Sequence, residues 1–143
     1  MCELREAARA LLARLHAAQG DFYAGGSSAA LSELLHPEVA WHVPGHSPIA
    51  GDYHGVNEVL AYMARRRDLA DHTFRMHARE LLVGDVDRIA SVTDGTATIR
   101  GEQRSWSTVG LHRLEDGHIR ECLLIPFDQG AFDRVWTNQD PAR

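Results

Sequence analysis

Residues 41–55 concentrate the side chains of this sequence that could move protons. The segment reads WHVPGHSPIAGDYHG, and its titratable and aromatic residues are Trp41, His42, His46, Asp52, Tyr53 and His54. Imidazole titrates near neutral pH, and a carboxylate within reach can fix its tautomer and raise its basicity, so such a pair suits general acid/base chemistry. An ordinary connecting loop would carry small polar residues without the aromatic ones. The segment therefore predicts one wall and the rim of a small-molecule pocket.

The composition is that of a globular protein with no strong electrostatic preference. Of the 143 residues, 44% are hydrophobic and 24% are charged, and the formal net charge is -5. These values predict one domain over residues 1–143. The basic residues are scattered except for residues 65–67, an arginine triplet that we interpret as a solvated helix face. Phosphate binding needs a continuous basic surface, so nucleic acid is not an expected partner.

The sequence lacks the common motifs for a metal, a nucleotide cofactor or a covalent intermediate. His42 and His46 are four residues apart, but Pro44 and Gly45 between them exclude the helix that a His-x-x-x-His zinc pair requires. No Gly-x-Gly-x-x-Gly or Gly-x-Ser-x-Gly segment occurs. We therefore expect no metal and no organic cofactor.

Cysteine usage and the first residues of the sequence indicate a reduced, intracellular setting. Cys2 and Cys122 are the only cysteines, and neither has disulfide-like or metal-like neighbours in sequence. Residues 1–6 are charged without an apolar signal core, and no apolar run approaches the roughly 18 residues of a membrane span. We expect a cytoplasmic protein with no membrane partner.

Hydrophobic spacing predicts helices first and antiparallel strands afterwards. The helices are expected over residues 3–19, 29–35 and 56–69, with a short strand over 39–43. Later strand candidates cover residues 72–83, 89–99, 103–114 and 118–127, and residues 128–136 form a short terminal turn. Asp116 and Gly117 predict a tight hairpin between the last two strands. This order is typical of an α+β protein whose helices cover one face of the sheet.

Three segments carry a resemblance to a known family: residues 41–45 (WHVPG), 51–55 (GDYHG) and 125–129 (IPFDQ). With the order of elements, they resemble the SnoaL-like group of the nuclear transport factor two and ketosteroid isomerase superfamily, over about residues 4–136. The resemblance implies a conical α+β barrel, in which a strongly bent mixed or antiparallel sheet packs against three helices of the N-terminal half and encloses a deep, mostly apolar pocket. It also implies a homodimer formed through the outer face of the sheet.

The resemblance further implies which residues would react. His42 falls where the isomerases place their general-base carboxylate, and Asp128 resembles the aspartate that acts as acid and base in the SnoaL cyclases. Gly110 and Ala13 stand where steroid isomerases hold their oxyanion donors, so steroid isomerisation is not predicted. We take His42 and Asp128 as the candidate catalytic pair. Most family members need no metal or organic cofactor.

The pocket walls are predicted from the strand faces and from the helix after residue 55. If Asp128 points into the cavity, then Trp106 and Leu124, which share the corresponding strand faces, should line it too. The side chains predicted to contact the substrate are Trp41, His46, Asp52, Tyr62, Met63, Trp106, Thr108 and Leu124. Trp106 could instead fill the core, and Asp52 could instead cap a turn or the following helix.

Strand alternation allows two orientations of the His42 side chain. Successive side chains of a strand point to opposite faces, so Val39, Trp41 and Val43 share one face while His42 lies on the other. If Trp41 points inward, His42 points outward and is a hydrogen-bonded structural residue.

Two functions of different classes follow. The first is a cofactor-independent acid/base enzyme that acts on an apolar polycyclic or terpenoid-like molecule, as a cyclase, isomerase, dehydratase or epoxide hydrolase. The alternative is a non-catalytic module of the same fold, which binds a small ligand or a second protein chain. An enzyme should show titratable groups with perturbed pKa values converging on one enclosed space.

Overall fold

The computed structural model describes residues 2–85 and 87–137. The ends of the predicted domain, Met1 and residues 138–143, and the side chain of Cys2 lie outside this part. In chain order, the elements are α1 (Cys2–Tyr23), α2 (Ala29–Leu34), β1 (Leu35–Val43), β2 (Gly51–His54), α3 (Gly55–Leu69), β3 (Arg75–Val83), β4 (Arg88–Ile99), β5 (Glu102–Glu115), β6 (His118–Pro126) and α4 (Gln129–Trp136). Among the described residues, no helix is long and apolar enough to cross a membrane.

The strands form one mixed sheet in the order β2-β1-β6-β5-β4-β3. All neighbours are antiparallel except β1 and β6, which are parallel. The predicted hairpin joins β5 to β6, with Asp116 and Gly117 both at positive φ. The helices α1 and α3 pack against each other while α1 contacts β3 and α3 contacts β1. These two strands are far apart in the sheet, so the sheet curls around the helices, and the predicted α+β cone is confirmed.

The first helix buries one apolar stripe and is longer than predicted. Leu11, Leu12 and Leu15 are at most 4% exposed, as the helical spacing indicated. Gly20 does not end the helix, because Phe22 and Tyr23 one turn later are buried and hold the last turn against the core.

The segment predicted as a loop between the first strand and the third helix contains a strand. β2 pairs antiparallel with β1, which places His42 opposite Asp52 and Trp41 opposite Tyr53. β1 itself begins at Leu35, before the predicted start, and its register against β6 shifts in the interval that contains Pro37. Proline has no N–H for a strand ladder, so a break in register there is expected.

The predicted terminal turn is a fourth helix. Asp128 caps α4, since its side chain accepts a hydrogen bond from the Ala131 N–H at 3.0 Å. The helix buries Phe132, Val135 and Trp136. Its Trp136 ring packs against Trp106 beside the concave face of the sheet.

Candidate functional site

The concave face of the sheet carries small side chains where β4 and β5 meet. Ser91, Thr93 and Gly95 alternate inward on β4, and Thr108 and Gly110 do so on β5. Their small size leaves space beneath α1 and α3. About 420 Å³ there is not occupied by atoms, counted with its opening to solvent, and about 30 Å³ admits the centre of a water molecule. That is room for about two waters, so a larger ligand requires side chains to move.

Two glycines let large rings reach this cavity. A Cβ atom on Gly95 would lie 2.6 Å from the Trp106 indole, and one on Gly110 would lie 2.8 Å from the His112 ring. Real side chains do not approach so closely, so alanine at either position would displace the ring. Trp106 and His112 therefore occupy their places because these positions carry no side chain.

His112 is an imidazole held neutral by the fold. It is 3% exposed on the inner face of β5, with its ring edge-on to Trp41 at a centroid distance of 6.1 Å. Burial, and secondarily the neighbouring His16, lowers the pKa of His112 to about 4. Its Nδ1 atom has no hydrogen-bond partner among the described residues.

His16 reaches the same cavity from α1. It is half-buried and lines the space together with Gln19, one helical turn further on. Burial lowers the pKa of His16 below its ordinary value. Both imidazoles are therefore neutral at pH 7, and each can accept a proton or share one through a hydrogen bond.

Arg66 brings a positive charge to the cavity wall. It is 5% exposed and its Nη1 donates to the Tyr62 hydroxyl at 2.6 Å. The interpretation of residues 65–67 as a solvated face is wrong for this residue. Helical spacing places Arg66 on the buried side of α3, one and two turns after Tyr62 and Val59, whereas Arg65 is exposed.

Four of the predicted substrate contacts lie on the cavity wall: Trp41, Trp106, Thr108 and Leu124. Trp106 also packs on Phe74 and Trp136, at centroid distances of 5.3 and 5.2 Å. Trp106 therefore belongs both to the core and to the cavity wall. The wall also contains a cation, two imidazoles, hydroxyls and an amide, so it is more polar than the resemblance implied.

The predicted convergence of His42 and Asp128 in the cavity is wrong. Trp41 occupies the inner face of β1, and strand alternation turns His42 to the outer face. There its Nδ1 lies 2.8 Å from Asp52 Oδ1 and its Nε2 lies 3.0 Å from Glu121 Oε2. The hydrogen bond with Asp52 is the main cause that raises the pKa of His42. Asp128 is exposed and caps α4, so it does not reach the cavity either.

The other predicted contacts also lie off the cavity wall. Asp52 is exposed on β2 and bonds to His42, so it caps neither a turn nor α3. His46 is exposed, and its backbone N–H donates to Asp133 Oδ1 at 3.3 Å. The Tyr62 hydroxyl accepts a hydrogen bond from Arg66, and Met63 is fully buried in the core.

The fold places the chain in a structural class. A curled mixed sheet that holds a cavity against its helices is the architecture of NTF2-like proteins. Bal32a, from a soil-derived mobile gene cassette, is 25% identical over 93% of this chain and 98% of its own, with a TM-score of 0.85. A protein of unknown function with a cystatin-like fold, from Xanthomonas campestris, is 26% identical over 78% of this chain and 87% of its own, with a TM-score of 0.71. An NTF2-like protein from Burkholderia xenovorans LB400 shares 16% identity over 93% and 98%, with a TM-score of 0.72, and so shows the fold alone.

Within that class the family is also clear. Residues 14–122 match the model of the SnoaL-like domain, so the chain belongs to the SnoaL-like family. No curated protein matches the chain in sequence. The matched segment contains His16, Arg66 and His112, the basic residues of the cavity wall.

Proposed function

We propose that this SnoaL-like protein is a small-molecule enzyme that moves a proton on a substrate bound in the cavity. The observation that supports it is that two imidazoles, His16 and His112, line one cavity and are kept neutral there by burial. Neutral imidazole in a water-poor site is a form of histidine that can remove a proton next to a carbonyl. Aldol-type cyclisation, isomerisation and dehydration of carbonyl compounds can begin with such a proton removal, and in epoxide opening the same base would take a proton from the attacking water.

The two histidines take different roles in this proposal. A general base works best when its pKa lies near the working pH, and a pKa of about 4 makes His112 a weak base. His112 therefore orients or polarises a carbonyl oxygen through a hydrogen bond. His16 is half-buried and so remains open to proton exchange with solvent, which suits the base.

The walls favour a compact ring compound as substrate. Trp41 and Trp106 offer aromatic surface on which an apolar ring can pack. The hydroxyls of Thr93 and Thr108, both buried, lie on the same wall and can bond to a carbonyl oxygen. An apolar ring system that carries one carbonyl group fits this mixture better than a hydrocarbon does.

The test is hydrogen exchange next to the carbonyl of a ring ketone. We expect the protein to accelerate deuterium uptake by 2-tetralone in D₂O, followed by NMR at neutral pH. His16→Gln should slow the catalysed exchange by about 10²- to 10⁴-fold, because it removes the base. His42→Gln, on the outer face of the sheet, and His54→Gln, at the end of β2, should leave the rate unchanged.

Three outcomes of this test would contradict the proposal. They are the absence of acceleration, an unchanged rate in His16→Gln, or a loss of rate in His42→Gln. Binding of the ketone without exchange would favour the alternative, a non-catalytic module that holds a small ligand.

We also propose that a second copy of the chain covers the outer face of the sheet. Apolar side chains point outward from three adjacent strands and form an outer apolar patch: Val92, Val109, Leu111, Leu123 and Ile125. Leu123 and Ile125 are 40% and 44% exposed, and such a contiguous patch is typical of an interface.

Sedimentation velocity tests this dimer. The natural chain should sediment as a dimer, and the double variant Leu123→Glu/Ile125→Glu as a folded monomer, because charges in the centre of an apolar interface oppose association. Leu4→Glu is the matched control, since Leu4 is 53% exposed on α1 and lies away from the patch. A monomeric natural chain would refute the proposal.

A further inference from the structure

Arg66 is a buried cation for which the described residues provide no counter-charge. Its side chain is 5% exposed, and no Asp or Glu of residues 2–85 and 87–137 forms an ion pair with it. The only hydrogen bond of its guanidinium within that part of the chain is the one to Tyr62, and its Nε has no partner. Guanidinium keeps its charge at any physiological pH, so the cavity wall carries a full positive charge.

Aromatic rings surround this charge without neutralising it. The guanidinium carbon lies 4.6 Å from the ring centre of Phe74, 5.3 Å from those of Tyr62 and Trp136, and 5.6 Å from that of Tyr23. Ring faces attract a cation and hold its plane in place. They carry no net charge, so the positive charge remains available to a group inside the cavity.

Burial of an unpaired ion is unfavourable, and proteins usually supply a carboxylate or replace the ion by an apolar residue. Here the ion is retained where it lines a cavity, beside the buried Gln19 amide and the Thr93 and Thr108 hydroxyls. All of these groups can donate hydrogen bonds. A wall with a pre-positioned guanidinium and several neutral donors is complementary to an anion.

We propose that the cavity binds an organic anion, a planar ring compound whose carboxylate or enolate oxygen pairs with Arg66. This inference rests on the proposed function for the identity of the cavity as the ligand site, and it names the substrate class. The planar guanidinium can donate two parallel hydrogen bonds to a carboxylate, and Trp41 and Trp106 contact the ring. An enolate formed by proton removal next to a carbonyl would be stabilised by the same charge.

Benzoate and its neutral analogue benzamide test the charge requirement on the natural chain. They have nearly the same size and shape, so a difference in affinity reports the charge. We expect benzoate to bind at least about tenfold more tightly at pH 7.5 and low salt, as hydrogen bonds to a charged group are stronger than neutral ones. Isothermal titration gives the affinities, and shifts of the Trp41 and Trp106 indole N–H signals in NMR place the ligand. Equal affinities, or binding that leaves both indole signals unchanged, would overturn the inference.

Variants of the arginine triplet then test whether Arg66 provides the charge that benzoate recognises. Arg66→Gln should weaken benzoate about 10- to 100-fold and abolish the preference over benzamide. Arg65→Gln, one residue away and exposed, should bind like the natural chain. Arg66→Lys keeps the charge without the planar fork and should retain part of the preference. A preference for benzoate that persists in Arg66→Gln would overturn the assignment.

Benzoate binding and ketone exchange are separate measurements, so the two proposals can fail independently. Benzoate has no exchangeable proton next to its carboxylate, so the natural chain should prefer benzoate over benzamide even if it does not accelerate the exchange. Asp140 is the acidic side chain of residues 138–143, outside the described part of the chain. Asp140→Asn should bind benzoate as the natural chain does. Clearly tighter binding in that variant would mean that Asp140 competes for Arg66, and would overturn the inference that Arg66 serves a ligand.

Discussion

Replacing His112 by Gln should make the protein less sensitive to acid. In the unfolded chain a histidine titrates near pH 6.5, whereas burial lowers the pKa of His112 in the fold to about 4. The folded state therefore binds fewer protons between these pH values, and stability is full above about pH 6.5 and falls as the pH drops towards 4. The two pKa values differ by about 2.5, so His112 alone should lower the free energy of unfolding by about 3 kcal/mol between pH 7 and pH 4.

Urea unfolding at pH 7, 6, 5 and 4 measures this loss. At each pH, the free energy of unfolding of His112→Gln is subtracted from that of the natural chain. This difference should decrease by about 3 kcal/mol from pH 7 to pH 4, whatever the difference is at pH 7. Ser91→Ala is the matched control, because Ser91 is 1% exposed on the same wall and does not titrate. Its difference from the natural chain should not vary with pH. A constant difference for His112→Gln would show that its imidazole is not held neutral by the fold.

The sequence predicted the architecture well, because its evidence was spread over many residues. Apolar spacing in α1 and α3, and turn residues such as Asp116 and Gly117, each indicate one element and support one another. The elements that differed from the prediction, β2 and α4, depend on tertiary contacts. β2 exists because β1 offers it an edge to pair with, and α4 exists because Trp136 and Phe132 pack onto the sheet.

The site was harder to predict, because it depends on which of two faces points inward. Alternation in β1 allowed either Trp41 or His42 to face the helices, and the larger apolar ring took the buried side. Asp128 precedes a helix whose first turn it caps, a signal that is visible in the sequence and competes with a catalytic role.

The cavity residues that were missed also had a signal at helical spacing. His16 and Gln19 are three residues apart on α1, beside the leucine stripe, and Arg66 lies four residues after the buried Tyr62 on α3. Such polar residues next to an apolar stripe indicate a helix that borders a cavity. Reading Arg66 only as part of a basic triplet concealed this, because composition does not distinguish the faces of a helix.

Truncation of Phe74 should destabilise the protein most among the changes considered. Phe74 is 1% exposed immediately before β3, stacks on Tyr23 at 4.5 Å, and contacts the rings of Trp106 and Trp136. Phe74→Ala should lower the free energy of unfolding by about 3–5 kcal/mol, through lost burial and the cavity that remains. Phe74→Leu preserves most of the volume and should cost less, about 1–3 kcal/mol, of which part is the lost attraction to Arg66.

A double-mutant cycle isolates that attraction. Urea unfolding of the natural chain, Phe74→Leu, Arg66→Met and the double variant should give a coupling energy of about 1–2 kcal/mol between the ring and the guanidinium. Arg66→Met alone should change stability little or increase it, because it removes a buried ion without a counter-charge. A coupling near zero would mean that Phe74 only fills space. A strongly destabilised Arg66→Met would mean that the arginine is kept for the fold, whereas an unchanged or increased stability would mean that the fold does not require the charge, as the proposed ligand role expects.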